Sequence, residues 1–190
     1  MTFSNTMYDN IFSDFLVSTN IDVSLDKLKD EIYEIKNSTE NNTRSGRNSF
    51  QTPWCEDTDK EELQSLKNNV VQFTNNFIAK KFGNLEVTRC TWWININPPN
   101  GFNVIHNHGN IELVGNFYVQ TAEDSGLLEI VRNDGSVYNI LGRKSSTFKC
   151  ECKTGRFYMM PGHLWHYVSD NYSKTDRISL SYNLRLDTVK

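Results

Sequence analysis

The chain has 190 residues and a mass of 22.0 kDa, enough for one domain with its own core. Hydrophobic residues make up 37% and mean hydropathy is -0.57, and no apolar run approaches the length of a bilayer-spanning helix. With 20 basic and 23 acidic residues the net charge is -3, which argues against a chain whose main work is gripping a nucleic-acid backbone.

The opening residues Met1-Thr2-Phe3-Ser4-Asn5 lack the basic and apolar stretches of a signal peptide, so a cytoplasmic location is expected. A first helix is predicted over residues 20–36, where Leu25, Leu28, Ile32 and Ile35 recur at helical spacing behind Ser24 or Asp22 as N-cap. Residues 37–49 read as a polar loop. A second helix is predicted over residues 57–82, with Leu63, Leu66, Val70, Phe73, Phe77 and Ile78 on one stripe and Gly83-Asn84 as its stop. The character then changes to short β-branched and aromatic runs punctuated by Asn, Gly and Pro. Strands are predicted at 86–97, 103–106, 112–120, 127–131, 146–150, 156–161, 165–169 and 178–185. The expected fold is therefore α+β, mainly β: a sandwich or barrel over 85–190 with a helical part over 1–84 packed on it, all one domain.

Cys55, Cys90, Cys150 and Cys152 are expected to be free thiols, since Cys150-x-Cys152 is too short for a zinc half-site and no second pair answers it. Lys80-Lys81, Arg143-Lys144 and Arg185 form no basic stripe, so neither a nucleic-acid nor a membrane partner is expected. Trp92, Trp93 and Trp165 are expected to fill the barrel and its seam with the helices, with lining of a substrate cleft as the alternative. Asn95 and Asn97 alternate with Ile94 and Ile96. The amides face either the barrel interior, within reach of a ligand, or a solvated edge.

All four histidines lie between His106 and His166. In an extended His106-Asn107-His108 both rings fall on one face. His166 comes much later, after Pro161-Gly162-His163-Leu164-Trp165, and Arg177 follows eleven residues on. Two near ligands and one distant one suit a metal on the inner wall of a barrel, with open positions left for substrate, dioxygen or water. Arg177 on a neighbouring strand could hold a carboxylate in two parallel hydrogen bonds.

These residues carry a resemblance to the 2-oxoglutarate- and iron(II)-dependent oxygenases, and more narrowly to a small group of them in marine bacteria and their phages. The matching pieces run in the family's order over residues 90–185: Trp93-Ile94-Asn95-Ile96-Asn97, Asn103-Val104-Ile105-His106-Asn107-His108, Leu113-Val114-Gly115-Asn116-Phe117-Tyr118-Val119, the stretch from Pro161 to Val168, and Arg177-Ile178-Ser179-Leu180-Ser181-Tyr182-Asn183. Residues 45–51 resemble a weak form of that group's Gly-Trp-Gln-Ser stretch. The resemblance implies a double-stranded β-helix, or jelly roll, with iron(II) and 2-oxoglutarate as cofactors and ascorbate as a reductant. It implies His106 and His166 as metal ligands, Arg177 and Ser179 on the distal carboxylate of 2-oxoglutarate, and Tyr118 as a further contact. Asn95, Asn97, Asn116, Trp93, His163 and Asn183 are candidates for substrate contact or for support around the site, with His163 a loop residue beside it.

The chain departs from the wider superfamily at His108, where a carboxylate is usual. Three neutral imidazoles leave iron(II) its full charge, so 2-oxoglutarate would supply the first anionic ligand. His108 is then either the third ligand or swings aside; Glu112 is the nearest carboxylate that could substitute. The implied reaction couples oxidative decarboxylation of 2-oxoglutarate to hydroxylation of a C–H bond. The substrate would be a peptidyl side chain such as proline, a nucleobase or a small molecule, with protein or small molecule favoured over nucleic acid. The protein would act as monomer or homodimer, in the host cytoplasm if phage-encoded. Two other readings stay open: a cupin-like three-histidine metalloenzyme without 2-oxoglutarate, and a non-enzymatic jelly roll used for binding or structure.

Overall fold

From Arg177 to Leu184 the chain alternates polar and apolar residues, which is the period of a strand with two different faces. That strand is the middle of the architecture. A computed structural model describes residues 14–131 and 147–189. The opening residues, Arg143-Lys144 and the predicted strand start at Ser146 lie outside the described residues.

The elements run β1 (Val17–Asn20), α1 (Leu25–Ser38), β2 (Gly46–Arg47), β3 (Phe50–Gln51), α2 (Glu61–Phe82), β4 (Leu85–Asn97), β5 (Phe102–His106), β6 (Leu113–Gln120), β7 (Leu127–Val131), β8 (Thr147–Glu151), β9 (Arg156–Pro161), β10 (Trp165–Val168) and β11 (Arg177–Thr188). They form two antiparallel sheets, a six-stranded one in the order β1-β9-β6-β11-β4-β3 and a five-stranded one in the order β2-β5-β10-β7-β8. This is the double-stranded β-helix expected, with the helices on the outside of the larger sheet.

Register explains the burial. On β11 the apolar set Ile178, Leu180, Tyr182 and Leu184 shares one face with Ile94, Ile96 and Trp92 of β4 and Phe117 of β6. That face packs against Leu28 and Ile32 of α1 and Leu63, Leu66, Val70 and Ile78 of α2 in one core. The polar set of β11 points the other way, between the two sheets. Full burial of an aliphatic side chain stabilises by about 1.5–3 kcal/mol, so this helix-backed face carries most of the stability and frees the inner face for polar work.

The strand predictions agree with the structure to within about two residues at most ends, but three elements are new. β1 lies just ahead of the predicted first helix and takes only its first residue, Asn20, because Val17–Asn20 pairs with Met159–Arg156 of β9; α1 begins at Leu25. The two-residue strands β2 and β3 pair with β5 and β4 inside the predicted polar loop. Ser24 is the N-cap residue of α1, without a side-chain capping bond. Gly83 closes α2 at φ 79°, a left-handed conformation that favours glycine. All four cysteines are free. No helix among the described residues is long and apolar enough to cross a membrane.

Candidate active site

His106 ends β5 and stands directly opposite His166 at the start of β10. His108 lies just past the end of β5, its backbone N–H donating to the carbonyl of Gly162 at 2.8 Å in the turn that leads into β10. The three rings converge, with centroids 4.5 Å apart for His106 and His166, 5.3 Å for His106 and His108, and 5.2 Å for His108 and His166. One ring nitrogen from each lies within 4.8 Å of the other two.

The hydrogen bonds decide which nitrogen that is. Nδ1 of His106 lies 2.7 Å from the carbonyl of Val104, Nδ1 of His166 lies 2.8 Å from that of Leu164, and Nδ1 of His108 lies 2.6 Å from Oδ1 of Asn183. Each partner is an acceptor oxygen, so each Nδ1 carries the proton and each Nε2 keeps a free lone pair turned to the common centre. This is how metal-binding imidazoles are held. Burial disfavours the charged form, so the ring of His108 titrates at about 4 and that of His166 at about 3, the latter also opposed by its histidine neighbours; His106 is shifted the same way. At neutral pH the cluster offers three neutral donors. Imidazole nitrogens suit iron, and the donor set fits a metal with open positions.

Trp93 stacks on His108 at 5.8 Å and 27° and lines the cleft, whereas Trp92 lies in the helix-side core and Trp165 is 37% exposed. The expectation of a filling role thus suits Trp92 alone of the three. His163 is a residue of the turn that leads into β10, as expected. Its ring projects to Asp14, 2.9 Å away, is largely exposed, and does not line the cleft. Glu112 is turned to Arg185 at 3.4 Å and to the backbone of Leu186, so no carboxylate joins the cluster among the described residues.

Behind the histidines the inner face of the larger sheet is polar. Ser179 is in register with Asn95 on one side and Tyr118 on the other, and Ser181 with Trp93 and Asn116. Asn95 faces the interior rather than solvent: it is buried, accepts from Gln51 Nε2 at 2.5 Å and donates to Ser181 Oγ at 2.9 Å. Arg177 is 1% exposed. Its Nη1 donates to the carbonyls of Ser125 and, at 2.8 Å, Ser169, while Nη2 has no partner. No carboxylate among the described residues pairs with it. The amide of Asn97 and Oδ1 of Asn116 are buried and unpartnered as well, and the buried hydroxyl of Tyr118 has only the thiol of Cys152 beside it. Burial holds Tyr118 far above its usual pKa, so it remains an O–H donor. A buried guanidinium without a counter-anion costs several kcal/mol, which an incoming carboxylate would recover. The cleft therefore fits an acidic ligand such as 2-oxoglutarate. Gly126 makes this geometry possible. A Cβ there would sit 2.6 Å from Arg177 Nη1 and from the Ser169 carbonyl, and its φ is +90°.

Past His106 and His108 the cleft opens into a groove of about 550 Å³, lined on its far side by Asn42, Arg44, Trp54, Asn107, Asn110 and Arg185. Sequence reasoning did not assign Arg44, Trp54, Asn107 or Asn110. They lie in loops whose partners are distant in the chain, and only the Gly-Trp-Gln-Ser likeness marked that neighbourhood.

Residues 91–183 match a family described as "Putative 2OG-Fe(II) oxygenase". No curated protein matches the sequence. Among solved structures, the chain is similar to a Pseudomonas putida prolyl-4-hydroxylase, with TM-score 0.68, 16% identity and 90% of this chain covering 91% of that one. It is similar to a Trichoplax adhaerens prolyl hydroxylase solved with a hypoxia inducible factor peptide fragment, with TM-score 0.68, 11% identity and coverage of 90% and 83%. It is also similar to a viral collagen prolyl hydroxylase from Paramecium Bursaria Chlorella virus-1 in complex with 2-oxoglutarate, with TM-score 0.57, 13% identity and coverage of 92% and 96%. At these identities the likeness shows the shared fold. The family match over residues 91–183, just under half of the chain, and the three-histidine centre together support a 2-oxoglutarate- and iron(II)-dependent dioxygenase.

Proposed function

We propose that His106, His108 and His166 hold the iron, that Arg177, Tyr118 and Ser179 hold the distal carboxylate of 2-oxoglutarate, and that the enzyme hydroxylates a side chain of a peptide lying in the groove. The observation that carries the cofactor assignment is the pairing of three free Nε2 lone pairs with a buried, unneutralised Arg177 in the same barrel. Bound iron(II) and 2-oxoglutarate together supply the oxidising power for C–H hydroxylation, with succinate and carbon dioxide as co-products.

The protein's own contribution is placement. Val104, Leu164 and Asn183 orient the three imidazoles. Arg177 supplies the positive charge and Tyr118 and Ser179 supply hydroxyl donors, which together fix one end of a dicarboxylate. The layer of Ile94, Leu180 and Phe117 behind the cleft keeps that side free of bulk water. His108 in place of an acid leaves the metal more positive, which strengthens its hold on the anionic end of 2-oxoglutarate.

A peptide substrate is supported by the groove's form. It is open along one side, and the side-chain amides of Asn42, Asn107 and Asn110 offer both donors and acceptors to peptide groups. Three solved structures of similar fold are prolyl hydroxylases, one of them holding a peptide. The test is aerobic incubation with iron(II), 2-oxoglutarate and a panel of proline-containing peptides. The expected result is succinate formation matched by peptide oxidation, with the added oxygen derived from dioxygen. Succinate formed without oxidation of any peptide would exclude the peptide assignment.

A further inference from the structure

Arg44 is the open charge of the groove. Its guanidinium lies 4.0 Å from the ring centroid of Trp54 and has neither a carboxylate nor a hydrogen-bond acceptor among the described residues. Arg185, across the groove, is tied to the carbonyl of Asn110 and to Glu112. None of the residues lining the groove is acidic, although the chain as a whole carries net charge -3. Trp54 lines the groove and is 52% exposed. Its ring lies 6.2 Å from that of Trp93, which in turn stacks on His108 at 5.8 Å. Arg44, Trp54 and Trp93, the two indoles tilted by 41°, thus form one continuous cationic and aromatic run from the surface to the metal-binding cluster.

We infer that this run selects an extended peptide with an acidic residue beside the side chain that is oxidised. The target side chain enters past Trp93 toward the histidines. The backbone lies along Trp54, and the neighbouring carboxylate meets Arg44. The guanidinium already lies over an indole, so part of its freedom is spent before a carboxylate arrives. The inference rests on the peptide-hydroxylase reading.

Three capped peptides, Gly-Xaa-Pro-Gly-Gly with Xaa as Glu, Gln or Lys, test it in the iron- and 2-oxoglutarate-loaded enzyme. A single exposed charge pair changes affinity by about two- to fivefold, so the Glu peptide is expected to have a KM lower than the Gln peptide by that factor, and the Lys peptide the highest. Raising ionic strength should increase the KM of the Glu peptide and leave that of the Gln peptide unchanged, a measurement that needs no variant. In Arg44→Glu the order should invert, with Lys preferred. Equal KM values for all three peptides, or a Glu preference that survives the charge reversal, would overturn the charge selection while leaving the peptide reading intact. Succinate production with no oxygen in any peptide would sink the peptide reading and this inference with it.

Discussion

Replacing Asn183 with Leu probes the metal centre through a residue that does not touch the metal. Asn183 is buried, and its Oδ1 accepts the His108 Nδ1 proton at 2.6 Å. Leu has the same branched heavy-atom skeleton and no acceptor, so the His108 N–H would be left buried and unpaired at a cost of about 1–3 kcal/mol. The ring escapes that cost by moving its proton to Nε2, which removes the lone pair from the cluster. Either way the metal loses. Groups that orient a ligand imidazole are worth about 10–100-fold in metal affinity, or roughly 1.4–2.7 kcal/mol, which agrees with the cost of the unpaired N–H. Anaerobic competition for iron(II) against a chromogenic chelator reads this directly. The same substitution should add almost nothing in a His108→Ala background, because its effect passes through that ring. An unchanged affinity in the single variant, or fully additive losses in the double, would show that His108 does not bind the metal.

Other consequences follow from the same geometry. Arg177→Gln removes a charged hydrogen-bond partner worth about 1.5–3 kcal/mol, so the Kd for 2-oxoglutarate should rise by at least about tenfold while iron binding alone is unchanged. Gly126→Ala forces a Cβ to within 2.6 Å of Arg177 Nη1 at φ +90°, and should lower both the melting temperature and 2-oxoglutarate affinity, at a strain cost of about 1–3 kcal/mol. The metal-free protein should lose stability in acid. His108 and His166 titrate near 6.5 when unfolded and at about 4 and about 3 when folded, so the unfolded chain binds more protons below pH 6.5. Their contribution is fully present above 6.5 and falls as pH drops toward the folded values. These two groups alone should cost about 3 kcal/mol between pH 8 and pH 5.5, measured by denaturant titration. A flat profile over that range would contradict the buried, neutral histidines.

Much of the fold was legible because it rests on period. The apolar stripe of α2 and the strict alternation of β11 are local signals, and both elements formed where they were expected. β1, β2 and β3 were not legible because nothing within them demands a strand. Val17–Asn20 is extended only because β9, well over a hundred residues later, offers an open edge. The histidine cluster was visible as spacing, and Arg177 as a polar residue leading an inward-facing row. The ring orientations were not visible, since they depend on the carbonyl of Val104 in β5, that of Leu164 in the turn before β10, and the side chain of Asn183 far along the chain. The direction of the His163 ring was hidden for a related reason. It shares the turn that delivers His166 but lies on its outer side, where Asp14 draws it to the surface. Arg44 and Trp54 were missed because a cation over an indole leaves no pattern in sequence when the two sit ten residues apart in loops.

The most direct test of a three-histidine iron site that binds 2-oxoglutarate is optical. Iron(II) and 2-oxoglutarate added anaerobically to the purified protein should produce a visible metal-to-ligand charge-transfer band. The band should be lost in His106→Ala and His166→Ala, and in Arg177→Gln it should require much higher 2-oxoglutarate. A protein that shows no band and no 2-oxoglutarate binding with iron present would contradict it.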